Sequence, residues 1–180
     1  MRPLVSVALA GLVMLVGCTG GSVGPASTSQ ALAPPVAQPK EARGVDPCTL
    51  LTAAQLDTLG LDPTRVQRDD SAGLVGCRWP SKVFGFSVSS TLDTEPTRKG
   101  LTSLYSRRAG YPLFEPLQID GYPAVHAELV ISEDCTIYVG LSDTQVLDVR
   151  TGAPALRGQD SCSITKRAIS AMLTNLPPQR

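Results

Sequence analysis

Apolar positions along this chain fall into two regimes. The first is a single unbroken run from Leu4 to Val16, uncharged and mostly Leu, Val and Ala. Its length suits a secretory hydrophobic region and falls short of the roughly 20 residues that span a bilayer. Residues 19–45 then carry Gly, Ser, Thr, Ala, Pro and Gln, few charges and no period of 2 or 3.6. Such a stretch has too little apolar surface to offset the entropy of ordering, so it predicts a flexible linker with a reach of about 30 Å. From Asp46 onward the second regime begins, in which short periodic segments alternate with Gly, Pro and Asp.

The periods of those segments predict their structure. Thr52-Ala53-Ala54-Gln55 is a capping box, and Ala54, Leu56 and Leu59 before Gly60 give a short helix near 52–59. Residues 76–80 read as a short strand ended by Pro80. Residues 83–92 are the clearest strand, with Phe84, Phe86, Val88 and Leu92 on one face and Gly85, Ser87, Ser89 and Thr91 on the other. Residues 96–108 predict a helix with a stripe of Leu101, Leu104 and Tyr105, although Gly100 is a poor helix former. Residues 113–119 and 122–131 predict strands joined at Asp120-Gly121, a hairpin signal. In the second of these, Val125, Ala127, Leu129 and Ile131 share a face. Cys135, Ile137, Val139 and Leu141 alternate in another strand, and Ser142-Asp143-Thr144 turns the chain into a strand at 146–150. After a Gly/Pro loop, Asp160 or Ser161 caps the strongest helix. Its apolar face is Ile164, Ala168, Ile169, Met172, Leu173 and Leu176, and Pro177-Pro178 ends it. The expected fold is therefore α+β: a mostly antiparallel sheet with helices packed on one face. Residues 46–180 form one domain, long enough to bury roughly two-thirds of its unfolded surface.

Leu15-Val16-Gly17-Cys18 changes the picture, because it ends the apolar run in a cysteine. It resembles the lipobox of bacterial lipoprotein precursors. The resemblance implies that residues 1–17 are a cleaved lipoprotein signal and that Cys18 carries a diacylglyceryl thioether and an acylated amine. Residues 18–45 would then be the lipidated N-terminus and tether, and 46–180 an extracytoplasmic domain held at the cell membrane. Each buried methylene contributes about 0.8 kcal/mol, so two or three acyl chains anchor a protein where one does not. The precursor has 16 basic and 16 acidic residues, and loss of Arg2 with the signal leaves the mature chain near −1. That balance excludes electrostatic attraction to nucleic acid. Four cysteines remain for the domain: Cys48, Cys77, Cys135 and Cys162. An even number in an exported chain reads as two disulfides. Three pairings are open; Cys48–Cys77 with Cys135–Cys162 keeps each bridge within one half of the domain. A zinc site is the rival, and no Cys-x-x-Cys pair supports it.

Candidate chemistry is sparse. His126 is the only histidine and shares a strand face with Ala124, Glu128 and Val130, opposite the more apolar one. Gly85-Phe86-Ser87-Val88-Ser89 approaches a nucleophile elbow but lacks its last glycine and lies inside a strand. Asp69-Asp70 and Glu133-Asp134 are loop carboxylates without the alternating oxygens of a calcium loop. Arg98, Lys99, Arg107 and Arg108 make the middle helix basic, a feature that suits anionic headgroups, a phosphate-bearing glycolipid or simple solvation. Trp79, Tyr111 and Tyr122 lie beside prolines and loops, where aromatic rings meet ligands, although Trp79 next to Cys77 suits the core. No catalytic constellation, cofactor motif or metal site is visible.

Asp46-Pro47-Cys48-Thr49-Leu50-Leu51-Thr52, Gly76-Cys77-Arg78-Trp79, Ile119-Asp120-Gly121-Tyr122-Pro123-Ala124 and Asp160-Ser161-Cys162 follow the lipobox and linker in order. Together they resemble the actinobacterial lipoproteins grouped as domain-of-unknown-function family 3558. The resemblance implies a cell-envelope lipoprotein with two structural disulfides and carries over no catalytic residue. The expected function is a non-catalytic module that binds an envelope ligand, glycolipid or partner protein. The alternatives are an envelope hydrolase using His126 with Ser87 or an acidic residue, and a lipid carrier with an apolar cavity of several hundred Å3.

Overall fold

A computed structural model of the chain describes residues 33–70, 74–83, 85–152 and 160–180. The expected signal at 1–17, the lipidated Cys18, the first part of the linker, Phe84 and most of the loop before the last helix lie outside the described residues.

Local signals place the elements. Thr52 caps α1 (Ala53–Thr58) through a complete capping box with Gln55. The strands are β1 (Gln67–Arg68), β2 (Val75–Pro80), β3 (Ser87–Asp93), β4 (Leu113–Ile119), β5 (Tyr122–Glu128), β6 (Cys135–Gly140) and β7 (Val146–Gly152). Asp120 (φ 50°) and Gly121 (φ 83°) both adopt the left-handed conformation that a two-residue type I′ hairpin requires. Asp160 caps α3 (Ser161–Asn175) by accepting from the Cys162 and Ser163 amides.

The seven strands form one sheet in the order β1-β2-β3-β7-β6-β5-β4, and every pairing between them is antiparallel. Strands β4 to β7 are a meander that returns to β3. The main core lies on one face, where α1 and α3 cover Trp79, Val88, Ile137, Val139, Leu147 and Val149. Here Thr165 Oγ1 meets Thr151 Oγ1 at 2.7 Å and the Cys135 carbonyl at 3.2 Å, so the buried hydroxyls are paired.

Three expectations are corrected here. The helices do not share one face. α2 (Gly100–Ser106) packs on the opposite face, where Leu101 and Leu104 meet Val125, Ala127 and Val146. The reason is topological: β3 lies mid-sheet and β4 at the far edge, so their connection must cross a face, and α3 holds the other. The helix expected at 96–108 is three pieces, with one-turn 3-10 helices at Pro96–Arg98 and Arg108–Gly110 flanking α2. Lys99 (φ 55°) and Gly100 (φ 52°) are left-handed and break it. A Cβ on Gly100 would lie 2.8 Å from the Asp143 carbonyl oxygen, so glycine there lets α2 dock on the β6–β7 turn. The strand expected at 122–131 stops at Glu128, leaving Leu129, Val130 and Ile131 in an exposed loop.

Residues 36–45, expected to belong to the linker, are also placed differently. Residues 36–45 lie against the domain between the β6–β7 turn and the C-terminal tail. Lys40 N donates to the Leu141 carbonyl (2.8 Å), Glu41 N to the Pro177 carbonyl (2.9 Å) and Ala42 N to the buried Gln145 Oε1 (2.7 Å). Ala42 is 1% exposed. Composition predicted no burial of their own, and the surface that orders them lies about a hundred residues downstream.

The disulfides are Cys48–Cys77 (Cα–Cα 5.0 Å) and Cys135–Cys162 (5.1 Å). Each has an aspartate two residues ahead that receives the cysteine amide, Asp46 for Cys48 and Asp160 for Cys162. Each therefore staples a capped helical start to a strand. With sequence separations of 29 and 27, each stabilises by about 3.5 kcal/mol on the chain-entropy account. Removing either bridge with a paired Cys→Ala variant should lower Tm by about 10 °C, and removing both should cost about twice as much. Calorimetry with and without reductant checks this.

Candidate functional site

The sheet face that α2 shares is only partly covered, and the uncovered part is a groove. Strand alternation dictates its floor. On β3, Val88, Ser90 and Leu92 point to the main core, which turns Ser89, Thr91 and Asp93 the other way. Thr91 pairs with Asp148 of β7, and Asp148 with Tyr138 of β6, so these three form one row across the floor. Ser89 pairs with Arg150, and Arg150 with Thr136, in the next row.

Two hollows share the Thr91–Asp148–Tyr138 row. One, of about 610 Å3, runs under α2 against Leu101, Leu104, Val146 and Tyr111. The other, of about 530 Å3, runs past Ser89, Thr136 and Arg150 to the loop that holds Leu129 and Val130. That loop is the most apolar exposed feature among the described residues: Leu129, Val130 and Ile131 are 69%, 73% and 65% exposed.

The electrostatics of the floor are uneven. Arg98 pairs with Asp93 (3.2 Å) and Arg150 with Asp134. Glu128 accepts from the Thr136 amide (2.5 Å) and hydroxyl (3.3 Å). Among the described residues no hydrogen bond or ion pair reaches the Asp148 carboxylate. Burial pushes its pKa up to about 7; nearby Arg150 pulls it down and Glu128 adds to the rise. Burial and the adjacent Asp148 likewise hold the Tyr138 hydroxyl above its ordinary range.

A family model described as Protein of unknown function (DUF3558) matches residues 13–175. The chain belongs to this family. No curated protein and no solved structure matches it.

In this DUF3558 member, the residues singled out by the sequence are scattered rather than assembled. His126 is half-buried on the main-core face, whereas the sequence set it opposite the more apolar face, because its alternation partners Tyr122 and Ala124 are core residues. Its Nε2 is 3.7 Å from Cys162 Sγ and 3.6 Å from Glu128 Oε1, and its Nδ1 is 3.6 Å from Glu115 Oε2. His126, Cys135 and Cys162 place their ligand atoms within 4.8 Å of one another, but the two sulfurs are joined, which leaves the imidazole as the strong donor of the trio. Ser87 points into the opposite face and accepts from Arg78 Nε (3.0 Å), so a Ser87–His126 pair does not exist. Trp79 (0% exposed) and Tyr122 are core residues. Asp70 receives the Gly76 amide, and Asp134 holds Arg150. The basic residues of the middle segment part ways: Arg98 and Arg107 face the hollow, and the Arg108 guanidinium lies 5.5 Å from the centre of the Phe114 ring. Tyr111 alone of the three suspected aromatics lines the groove.

Asp148, Tyr138 and Thr91 went unmarked in the sequence. The signal available was a carboxylate between apolar Val146, Leu147 and Val149, on the strand face that excludes Leu147 and Val149.

A raised carboxylate pKa destabilises the fold as pH rises. Below about pH 4 Asp148 is protonated folded or unfolded and contributes nothing to the difference. Between pH 4 and 7 the unfolded chain releases the proton while the folded chain retains it, so stability falls, and above pH 7 the loss is complete. Its size is on the order of 4 kcal/mol for a shift from 3.8 to about 7. Asp148→Asn should therefore flatten the decline in stability between pH 5 and 8 and leave the variant more stable than wild type at pH 8. Urea titrations at several pH values read both effects.

Proposed function

We propose that this protein is a lipid-anchored, non-catalytic binding module of the cell envelope, whose ligand lies in the groove beside α2. The groove carries the reading: an apolar wall and a polar floor meet in a half-covered channel large enough for a small molecule or a short extended segment. The lipobox at Leu15–Cys18 supplies the anchor in this reading, and the remaining linker sets how far the groove stands from the bilayer.

The mixed lining favours a ligand held partly by polar groups over a lipid carried in an apolar cavity. The separation of Ser87 and His126 onto opposite sheet faces favours the binding reading over a hydrolase built on that pair.

Two measurements on protein taken from native membranes test the proposal. Intact mass spectrometry should show acyl chains on Cys18, and Cys18→Ala should shift the protein from the membrane to the soluble fraction. Native mass spectrometry should show a co-purifying ligand or crosslinked partner that Val146→Trp, which fills the hollow, reduces at least tenfold. Unmodified Cys18 would defeat the anchor, and retention of every partner by the filled variant would defeat the groove.

A further inference from the structure

We propose that the groove binds an organic cation, with an ammonium or guanidinium group on the Asp148 carboxylate and an apolar body under α2. This deepens the binding-module reading and rests on it.

Three observations converge. The first is position. Asp148 lies in the row shared by the two hollows, with Thr91 on one side and Tyr138 on the other. A cation there meets the carboxylate, the Thr91 hydroxyl and the Tyr138 hydroxyl and ring, a set of oxygen acceptors and a π-face with no competing cation in the row.

The second is pairing. A carboxylate withdrawn from water is costly unless a positive partner or several donors offset it. Most of the charged groups around Asp148 are already committed. From β7, Arg150 is held by Asp134. From the segment before α2, Arg98 is held by Asp93. Glu128 of β5 is itself a carboxylate and adds to the repulsion, and Tyr138 of β6 is uncharged, so neither compensates it. Asp69, beside β1, adds negative charge to the second hollow. Arg107, which follows α2, gives its Nε to the Ser103 carbonyl (3.2 Å) and lines the first hollow without an ion pair among the described residues. The floor thus presents, where the two hollows meet, a carboxylate that no hydrogen bond or ion pair reaches among the described residues.

The third is the shape of the first hollow. Leu101, Leu104 and Val146 line it beyond the carboxylate, so a cation on Asp148 can extend an alkyl or aryl arm beneath α2. A ligand that brought only charge would leave that wall wet, and one that brought only apolar surface would leave Asp148 unpaired.

The experiment compares three probes of one shape, 4-phenylbutylamine, 4-phenylbutanol and 4-phenylbutyrate, titrated calorimetrically into the purified full chain at pH 7.5. The amine should bind at least tenfold more tightly than the alcohol, and the carboxylate weakest. Asp148→Asn should weaken the amine at least tenfold and leave the alcohol within about twofold. This variant keeps the side-chain shape and removes a half-buried charge, so it retains the fold. Amine affinity should also fall as pH drops from 7.5 to 5.5, because protonating Asp148 removes its charge, while the alcohol stays level. Equal binding of amine and alcohol, or an amine affinity unchanged in Asp148→Asn, overturns the cation seat while leaving a neutral-ligand groove standing. Alcohol binding without amine binding does the same. If none of the three binds, the cation seat is overturned and a partner protein lost with Val146→Trp remains the test of the groove itself.

Discussion

The pairing of β3 with β7, from Ser87 opposite Gly152 to Asp93 opposite Val146, joins the two halves of this domain. On one side stand β1, β2 and the first disulfide; on the other, the β4–β7 meander and α3. Because β7 closes on β3 rather than on a new edge, β3 becomes an interior strand. The chain leaving it must cross a sheet face to reach the far edge at β4. With α3 already on the opposite side, that crossing lays α2 where it lies. A helix of seven residues is too short to cover the whole face, and what it leaves bare is the groove.

The two disulfides anchor the same frame from the other side. Asp46 and Asp160 each orient a helical start by receiving the amide of the cysteine two residues on, and each cysteine then bonds to a strand. Cys77 lies in β2 and Cys135 in β6, so one bridge serves each half of the sheet. The main core packs between them, with Trp79, Ile137, Leu147 and Met172 fully buried. Scaffold and groove are thereby separated by the thickness of one sheet: residues on one face hold the fold, and residues one position along the same strands are free to meet a ligand. Asp148 and Leu147 are neighbours in sequence with opposite duties for this reason alone.

Much of this was legible in the residues. Alternation placed the strands, the capping box and Asp160 placed two helices, Asp120-Gly121 placed the hairpin, and the cysteine spacing agreed with the bridges observed. These are local properties, governed by a side chain's own period or by hydrogen bonds within three or four residues. The family, too, is written in short motifs that keep their order along the chain.

Tertiary structure alone decided the rest. Which face of the meander is the main core could not be read from Val125, Ala127, Leu129 and Ile131, because both faces are apolar at one end and only one is met by α3. Gly100 reads as a weak point in a helix until the Asp143 carbonyl is brought against it. Residues 36–45 read as tether until Gln145 and Leu141 arrive from a hundred residues away. Asp148 reads as a surface charge on a strand until α2 and the neighbouring strands half-bury it. The sequence by itself determined the elements, the cross-links and the family, since these depend on near neighbours. The groove and its unpaired carboxylate came only with tertiary structure, because burial and pairing are properties of what distant segments place beside a residue.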